Sequence, residues 1–461
     1  MQVAGCVEFR RRVPHRRAAL QAGALALAGL GLPTLLRAEA ARARRGSSPG
    51  FGQARSCIVI FQWGGPSHLD TWDPKPEAPD SIRGPFAAIE TATPGVRISE
   101  HFPHLARQTQ RLTIVRSMTH DDPAHLSTVH RFQTGHLAPR PKSDAIGPSP
   151  SDWPHLGSFV GKLLPPPPHA LPAAVTMPWL VSHPAAPGGR APGQHGGWLG
   201  KAYDPFLVTG DPNAPSFRVG GMNLPEGIND LRLLSRRRLL TGLDAWSAGS
   251  PSDSWDDYQH QAFDAVISAE ARGAFAIERE DPRLRDRYGR HIHGQCLLLA
   301  RRLVEAGVRL VTVNWHDDGM NFWDTHGDNF NQLKNRLMPP ADRGFAALLD
   351  DLDARGLLDE TLVVWVGEFG RNPKITAGNA GREHWPRCYS AALAGAGIRG
   401  GYVHGASDRI GAYPARDPVQ PEDLAATIYH ALGIDPETEV RDPLDRPLRI
   451  TEGLPIVDLF A

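Results

Sequence analysis

Cys57-Ile58-Val59-Ile60-Phe61-Gln62, running through Trp63 into Gly64-Gly65-Pro66-Ser67-His68-Leu69-Asp70, is the stretch from which the fold can be read. A short, continuous apolar run closed by turn residues predicts a strand covered on both faces, not the alternating pattern of a half-exposed one. Strands of that kind belong to mainly parallel sheets flanked by helices. In such sheets ligands bind outside the carboxyl ends of the strands. The turn at residues 64–70 therefore makes His68 and Asp70 candidates for binding chemistry.

Working outward, the same grammar recurs. Residues 112–116 predict a second strand, and residues 124–133 a helix with Asp121 or Asp122 as its cap and Pro123 in its first turn. The final third alternates: strand 308–315, helix 329–354, strand 361–366, strand 390–394, and helix 422–432 closed by Gly433. Strands separated by helices argue for βαβ units. The predicted fold class is α/β, a three-layer sandwich with a mainly parallel central sheet and helices on both faces.

Between these regions the chain changes character. Residues 163–200 are dense in Pro and Gly, with four consecutive prolines at 165–168, and are expected to be an excursion without regular structure. Helical patterns follow over 228–243, 255–275 and 283–305, so the insertion spans about 163–306 of a single domain at 57–461.

The first 40 residues read differently. A basic stretch with Arg16-Arg17, an Ala/Gly/Leu run over 18–36 and Ala38-Glu39-Ala40 predict a cleavable leader of the twin-arginine kind, followed by a flexible junction at 41–56. Gly29, Gly31 and Pro33 weaken the run as a span, which needs about 20 strongly apolar residues. The expectations are export to the periplasm or beyond, engagement of the twin-arginine machinery, and no stable transmembrane segment. With 50 basic and 50 acidic residues in all, removing six Arg and two Glu leaves 44 against 48, about −4. That balance excludes the basic footprint of a nucleic-acid binder. The cysteines that remain, Cys57, Cys296 and Cys388, are too few and too scattered for a disulfide framework.

Polar residues with metal-ligating chemistry collect just after the predicted strands. His316 follows strand 308–315, then Asp324 and His326; Glu368 and Arg371 follow strand 361–366, with His384 a loop later. Asp324 and His326 alternate by two, so on an extended segment both face one side and can chelate. Together with Glu368 and His384 they form an oxygen and nitrogen set suited to zinc or manganese, with calcium as the alternative. Neither HExxH, GxSxG nor a P-loop occurs.

The Arg-Arg leader, Gly64 through Lys75, Trp323-Asp324-Thr325-His326, Gly367-Glu368-Phe369-Gly370-Arg371 and Asp423 through Ile428 together resemble an exported bacterial family of unknown function. That family belongs to the alkaline phosphatase/sulfatase-like superfamily. The resemblance implies an alkaline phosphatase-like sandwich and a metal-dependent hydrolase of phosphate or sulfate esters. It implies that Asp324, His326, Glu368, His384 and Asp70 hold metal, with Phe369 standing where a ligand His is usual. Thr134-Gly135 resembles the end of the sulfatase nucleophile helix, which puts His125 at the nucleophile position. His125 would act as nitrogen nucleophile or general acid/base, unless water activated to a pKa of about 7 attacks instead. Arg371 would grip an anionic ester bidentately, a carbohydrate sulfate or phosphate among the candidates, with His68 and His316 beside it. The alternative is a non-catalytic, envelope-organising or binding protein that keeps the fold.

Overall fold

The computed structural model describes residues 48–222, 230–244, 263–315 and 322–461. The leader, His316 and the first part of the predicted helix 255–275 lie outside the described residues.

Eight strands form the central sheet: β1 (Ser56–Phe61), β2 (Leu112–Met118), β3 (Ala174–Met177), β4 (Phe206–Leu207), β5 (Leu310–Asn314), β6 (Thr361–Val366), β7 (Tyr389–Ala394) and β8 (Tyr402–His404). Their order is β8-β2-β7-β6-β1-β5-β3-β4. β7 alone runs against its neighbours; every other pairing is parallel. β1 sits between β5 and β6, with Phe61 level with both Asn314 and Val366. All residues of β1, β5 and β6 are buried, which is why each reads as a mainly apolar run, with Ser56, Thr312, Asn314 and Thr361 the polar members.

Helices cover both faces of the sheet. The helices used below are α1 (His125–Thr134), α2 (Leu156–Leu163), α3 (Ile292–Glu305), α4 (Met338–Ala354) and α5 (Pro421–Ala431). α3 packs on α4, and α1 on α5. Stacking of Phe132 on Phe61, with ring centroids 5.1 Å apart, fixes α1 over the end of β1. This is the three-layer sandwich that the sequence predicts.

Three local expectations need correction. The Pro/Gly-rich stretch is not devoid of regular structure, because Ala174–Met177 enters the sheet beside β5. Pro172 and Pro178 flank that apolar tetrapeptide rather than interrupting it, so no ladder N–H is lost. The predicted helix 283–305 is two helices, Pro282–Tyr288 and α3, broken at Gly289 with φ +94° and restarted by His291, whose side chain accepts from Gly294 N–H. α1 begins one residue late: Ala124 is its N-cap position, and Asp122 instead accepts the Ala124 and Lys142 N–H groups in the preceding turn. That shift makes His125 the first helical residue. Cys57, Cys296 and Cys388 are buried and unpaired, and no helix of the described residues is long and apolar enough to cross a membrane.

Candidate metal centre

Four pieces of chain meet beyond the carboxyl ends of β1 and β6. The Gly64-Gly65 turn follows β1, Glu368 follows β6, the first turn of α1 supplies His125, and the 323–327 segment supplies Asp324 and His326. A two-residue antiparallel ribbon pairs Arg371 with His384 and brings the last imidazole in. Gly64 makes the close approach feasible. Its φ is +102°, and a Cβ there would lie 2.4 Å from the Asp324 nitrogen.

Each of three imidazoles is anchored by its Nδ1 to an outer acceptor. His384 Nδ1 lies 2.8 Å from the Pro123 carbonyl, His326 Nδ1 2.5 Å from Glu383 Oε2, and His125 Nδ1 2.7 Å from Glu368 Oε1. Carbonyls and carboxylates only accept, so Nδ1 is the donor in each ring and the neutral tautomer leaves Nε2 bare. All three Nε2 atoms turn to Asp324. The separations are 3.1 Å for His384 and 2.9 Å for His326 to Oδ1, and 3.4 Å for His125 to Oδ2. His326 and His384 also place their Nε2 atoms 2.9 Å from each other.

Lone pairs facing one another at these distances repel unless a proton or a cation lies between them. Ligand atoms of His125, Asp324 and His384 all fall within 4.8 Å of one another, the grouping expected of a metal site. The Asp324, His326 and His384 atoms are spaced close to the edges of a tetrahedron with bonds of about 2.0–2.1 Å, roughly 3.4 Å. An outer acceptor behind each imidazole is the usual support of a metal-bound histidine. The residues present fit a divalent cation.

With no cation bound, a proton takes its place between the imidazoles and Asp324. Burial works against the Asp324 carboxylate, yet hydrogen bonds from His125, His326 and His384 and the charge of Arg371 hold its pKa far below the usual range. Burial likewise opposes a charged His125, but Asp324 and Glu368 overcome it and raise its pKa to about 9. The Asp324 hydrogen bond raises His326, while burial lowers His384. Exposure across the site is uneven: the His125 side chain is 3% exposed and that of His326 41%. Phe369 forms part of the buried side, its ring 4.8 Å from His125 and 4.6 Å from His384 between centroids.

Other expected site residues have different places. Arg371 is fully buried and donates to Asp324 and to the carbonyls of Gly64, Gly65 and Arg382, so it steadies Asp324 instead of gripping a ligand. Asp70 lies outside the cluster in a buried ion pair: Arg382 donates to both its oxygens, and Asn329 adds a third bond. His68 Nε2 donates to the Gly411 carbonyl at 2.7 Å, away from the imidazoles. Glu368 Oε1 accepts from Gly64 N–H and His125, while its buried Oε2 has no partner. Glu368 thus stands behind His125 rather than beside Asp324. His316 lies outside the described residues. Sequence reasoning missed His183, whose ring stands 5.6 Å from that of His125. It lies in the Pro/Gly-rich stretch, where no periodicity marks it.

A family model described as "Protein of unknown function (DUF1501)" matches residues 54–460. No curated protein matches the chain. Among solved structures, a sulfatase from Pseudoalteromonas sp. is similar at 14% identity and a TM-score of 0.39, over 97% of this chain and 77% of that one. A protein in the alkaline phosphatase superfamily from Vibrio parahaemolyticus shares 10% identity at a TM-score of 0.37, over 85% and 69%. A phosphonate monoester hydrolase from Silicibacter pomeroyi shares 12% at 0.37, over 88% and 76%.

Proposed function

We propose that this chain, which belongs to the DUF1501 family, is an exported metal-dependent hydrolase of phosphate or sulfate esters. One observation carries the reading: three imidazoles, each anchored at Nδ1, present Nε2 to a single buried carboxylate. Asp324, His125, His326 and His384 are the proposed ligands. A nitrogen-rich set of this kind favours zinc or manganese over calcium. When bound, the ion would supply Lewis-acid charge and, through a coordination position beyond the four protein ligands, would make water acidic enough to react near neutral pH.

The chain's own residues do the rest. Glu383, Glu368 and the Pro123 carbonyl fix the tautomers and ring angles. Arg371 keeps Asp324 ionised and immobile. Phe369 excludes water from the inner side, so an ester must approach past His326.

One observation favours a second reading, a binding or envelope-organising protein without catalysis. No hydroxyl nucleophile stands ready on the first turn of α1, where Ser127 and Thr128 both donate back to the Ala124 carbonyl. Metal analysis of the purified mature protein, paired with a panel of phosphate and sulfate esters, separates the two. Bound metal with turnover supports the hydrolase; bound metal with none across the panel supports the second reading. Absence of metal removes the hydrolase and leaves the second reading.

A further inference from the structure

A charge comparison at the centre narrows the ester it can accept. Among the described residues, the only permanent cation paired with Asp324 is Arg371, and its N–H groups are spent on Asp324 and three carbonyls. Asp324 and Glu368 contribute two negative charges and Arg371 one positive. A divalent ion held by neutral imidazoles brings the enclosed part of the site, counted over the described residues named here, to a net +1. Glu383 carries a further negative charge, but its side chain is 50% exposed and screened by water. No guanidinium or ammonium of the described residues remains beside Asp324 to meet a second anionic charge.

A neutral donor is present instead. His183 lies in a loop pinned at its base by the Ser182–Arg190 bridge. Gln194 adds to the clamp, accepting from Val181 N–H at 2.7 Å and donating back to the Val181 carbonyl at 2.9 Å. The His183 ring stands 5.6 Å from that of His125 and 6.3 Å from that of Trp63, between centroids. Its Nδ1 accepts the Ala185 N–H at 3.1 Å, so the hydrogen of the neutral ring sits on Nε2. The ring is half-buried and polar, beside the ligands, with a fixed donor.

Resting on the hydrolase reading above, we infer that the centre selects a monoanionic tetrahedral ester, a sulfate monoester or a phosphodiester, over a dianionic phosphate monoester, with His183 Nε2–H donating to one of its oxygens.

Calorimetric titration of the metal-loaded mature protein at pH 8, with any heat of turnover subtracted, tests this with the smallest ester of each class: methyl sulfate, dimethyl phosphate and methyl phosphate. The last is a dianion there, since phosphate monoesters have a second pKa of about 6. The expected result is that at least one monoanion binds about tenfold tighter than methyl phosphate, and the tighter of the two identifies the source. His183→Phe should lose about tenfold in monoanion affinity at unchanged metal content, and His183→Gln, which keeps a donor, should retain most of it. Equal or tighter binding of methyl phosphate overturns the inference while leaving the metal centre standing. So does binding of none of the three to protein that carries metal, or an unaffected His183→Phe. A protein that takes up no metal overturns the hydrolase reading and this inference with it.

Discussion

His326 and His384 hold their Nε2 atoms 2.9 Å apart, each imidazole anchored through Nδ1 to a separate acceptor. Two bare nitrogens at that distance are stable only around a shared proton or cation. Asp324 Oδ1, 2.9 and 3.1 Å from the pair, completes the set. The outer acceptors therefore matter as much as the ligands. Glu383→Gln keeps shape but replaces an anionic acceptor by a neutral one, so metal affinity should fall about 10–100-fold with little change in fold. Competition with a chelator of known affinity measures this; an unchanged affinity would show that Glu383 does not tune His326.

Asp70 makes the opposite prediction. It is buried with Arg382 outside the imidazole cluster, and Arg382→Met would leave its carboxylate without its cation. Breaking a buried pair from one side typically costs about 3–5 kcal/mol. Urea unfolding should show that loss, with metal stoichiometry unchanged in protein that is still folded. If Arg382→Met instead empties the metal centre at full stability, Asp70 belongs to the site after all.

Buried histidines away from the centre govern acid stability. His155 is lowered to about 3, and His130 and His136 to about 4, by burial foremost. Their folded pKa values lie below the unfolded value of about 6.5. Above pH 6.5 both states are neutral. As pH falls from 6.5 towards 4 the unfolded chain takes up protons that the folded chain refuses, and stability drops by up to about 1.4 kcal/mol per pH unit for each ring. His155 caps α2 by accepting from Gly157 N–H, a task Asn performs well. With metal stripped from both proteins, His155→Asn should lower the loss in urea midpoint between pH 7 and pH 5. An identical loss would remove His155 from the account.

What could be read from the sequence follows from burial. β1 and β6 were legible because both faces are covered and every residue after the first, Ser56 or Thr361, is apolar. β3 was hidden because a four-residue strand closely flanked by Pro172 and Pro178 looks like part of a loop; its partner β5 supplies the context. At the site, the two-residue spacing of Asp324 and His326 carried real geometric information. Glu383 stands next to His384 in sequence yet anchors His326, a crossing that only the folded loop reveals. The role of Arg371 could not be read, because a sequence does not show which guanidinium is enclosed. Nor could that of His183, brought to His125 by a loop with no pattern of its own.

Export is tested apart from the chemistry. Residues 1–56 fused to a reporter that works only when exported already folded should carry it to the cell envelope, and Arg16→Lys with Arg17→Lys should block transport. Undiminished export of the double variant would remove the twin-arginine reading.

The central claim is that Asp324 and the three imidazoles form a metal site, and calorimetric titration of metal-stripped protein tests it most directly. Wild type should bind one equivalent of Zn²⁺ or Mn²⁺, with a melting temperature that rises with metal concentration. His384→Ala and Asp324→Asn should lose that binding while remaining folded. No heat of binding and no shift in melting temperature for either ion at about millimolar concentration, far above the dissociation constants of built protein sites, would contradict the account.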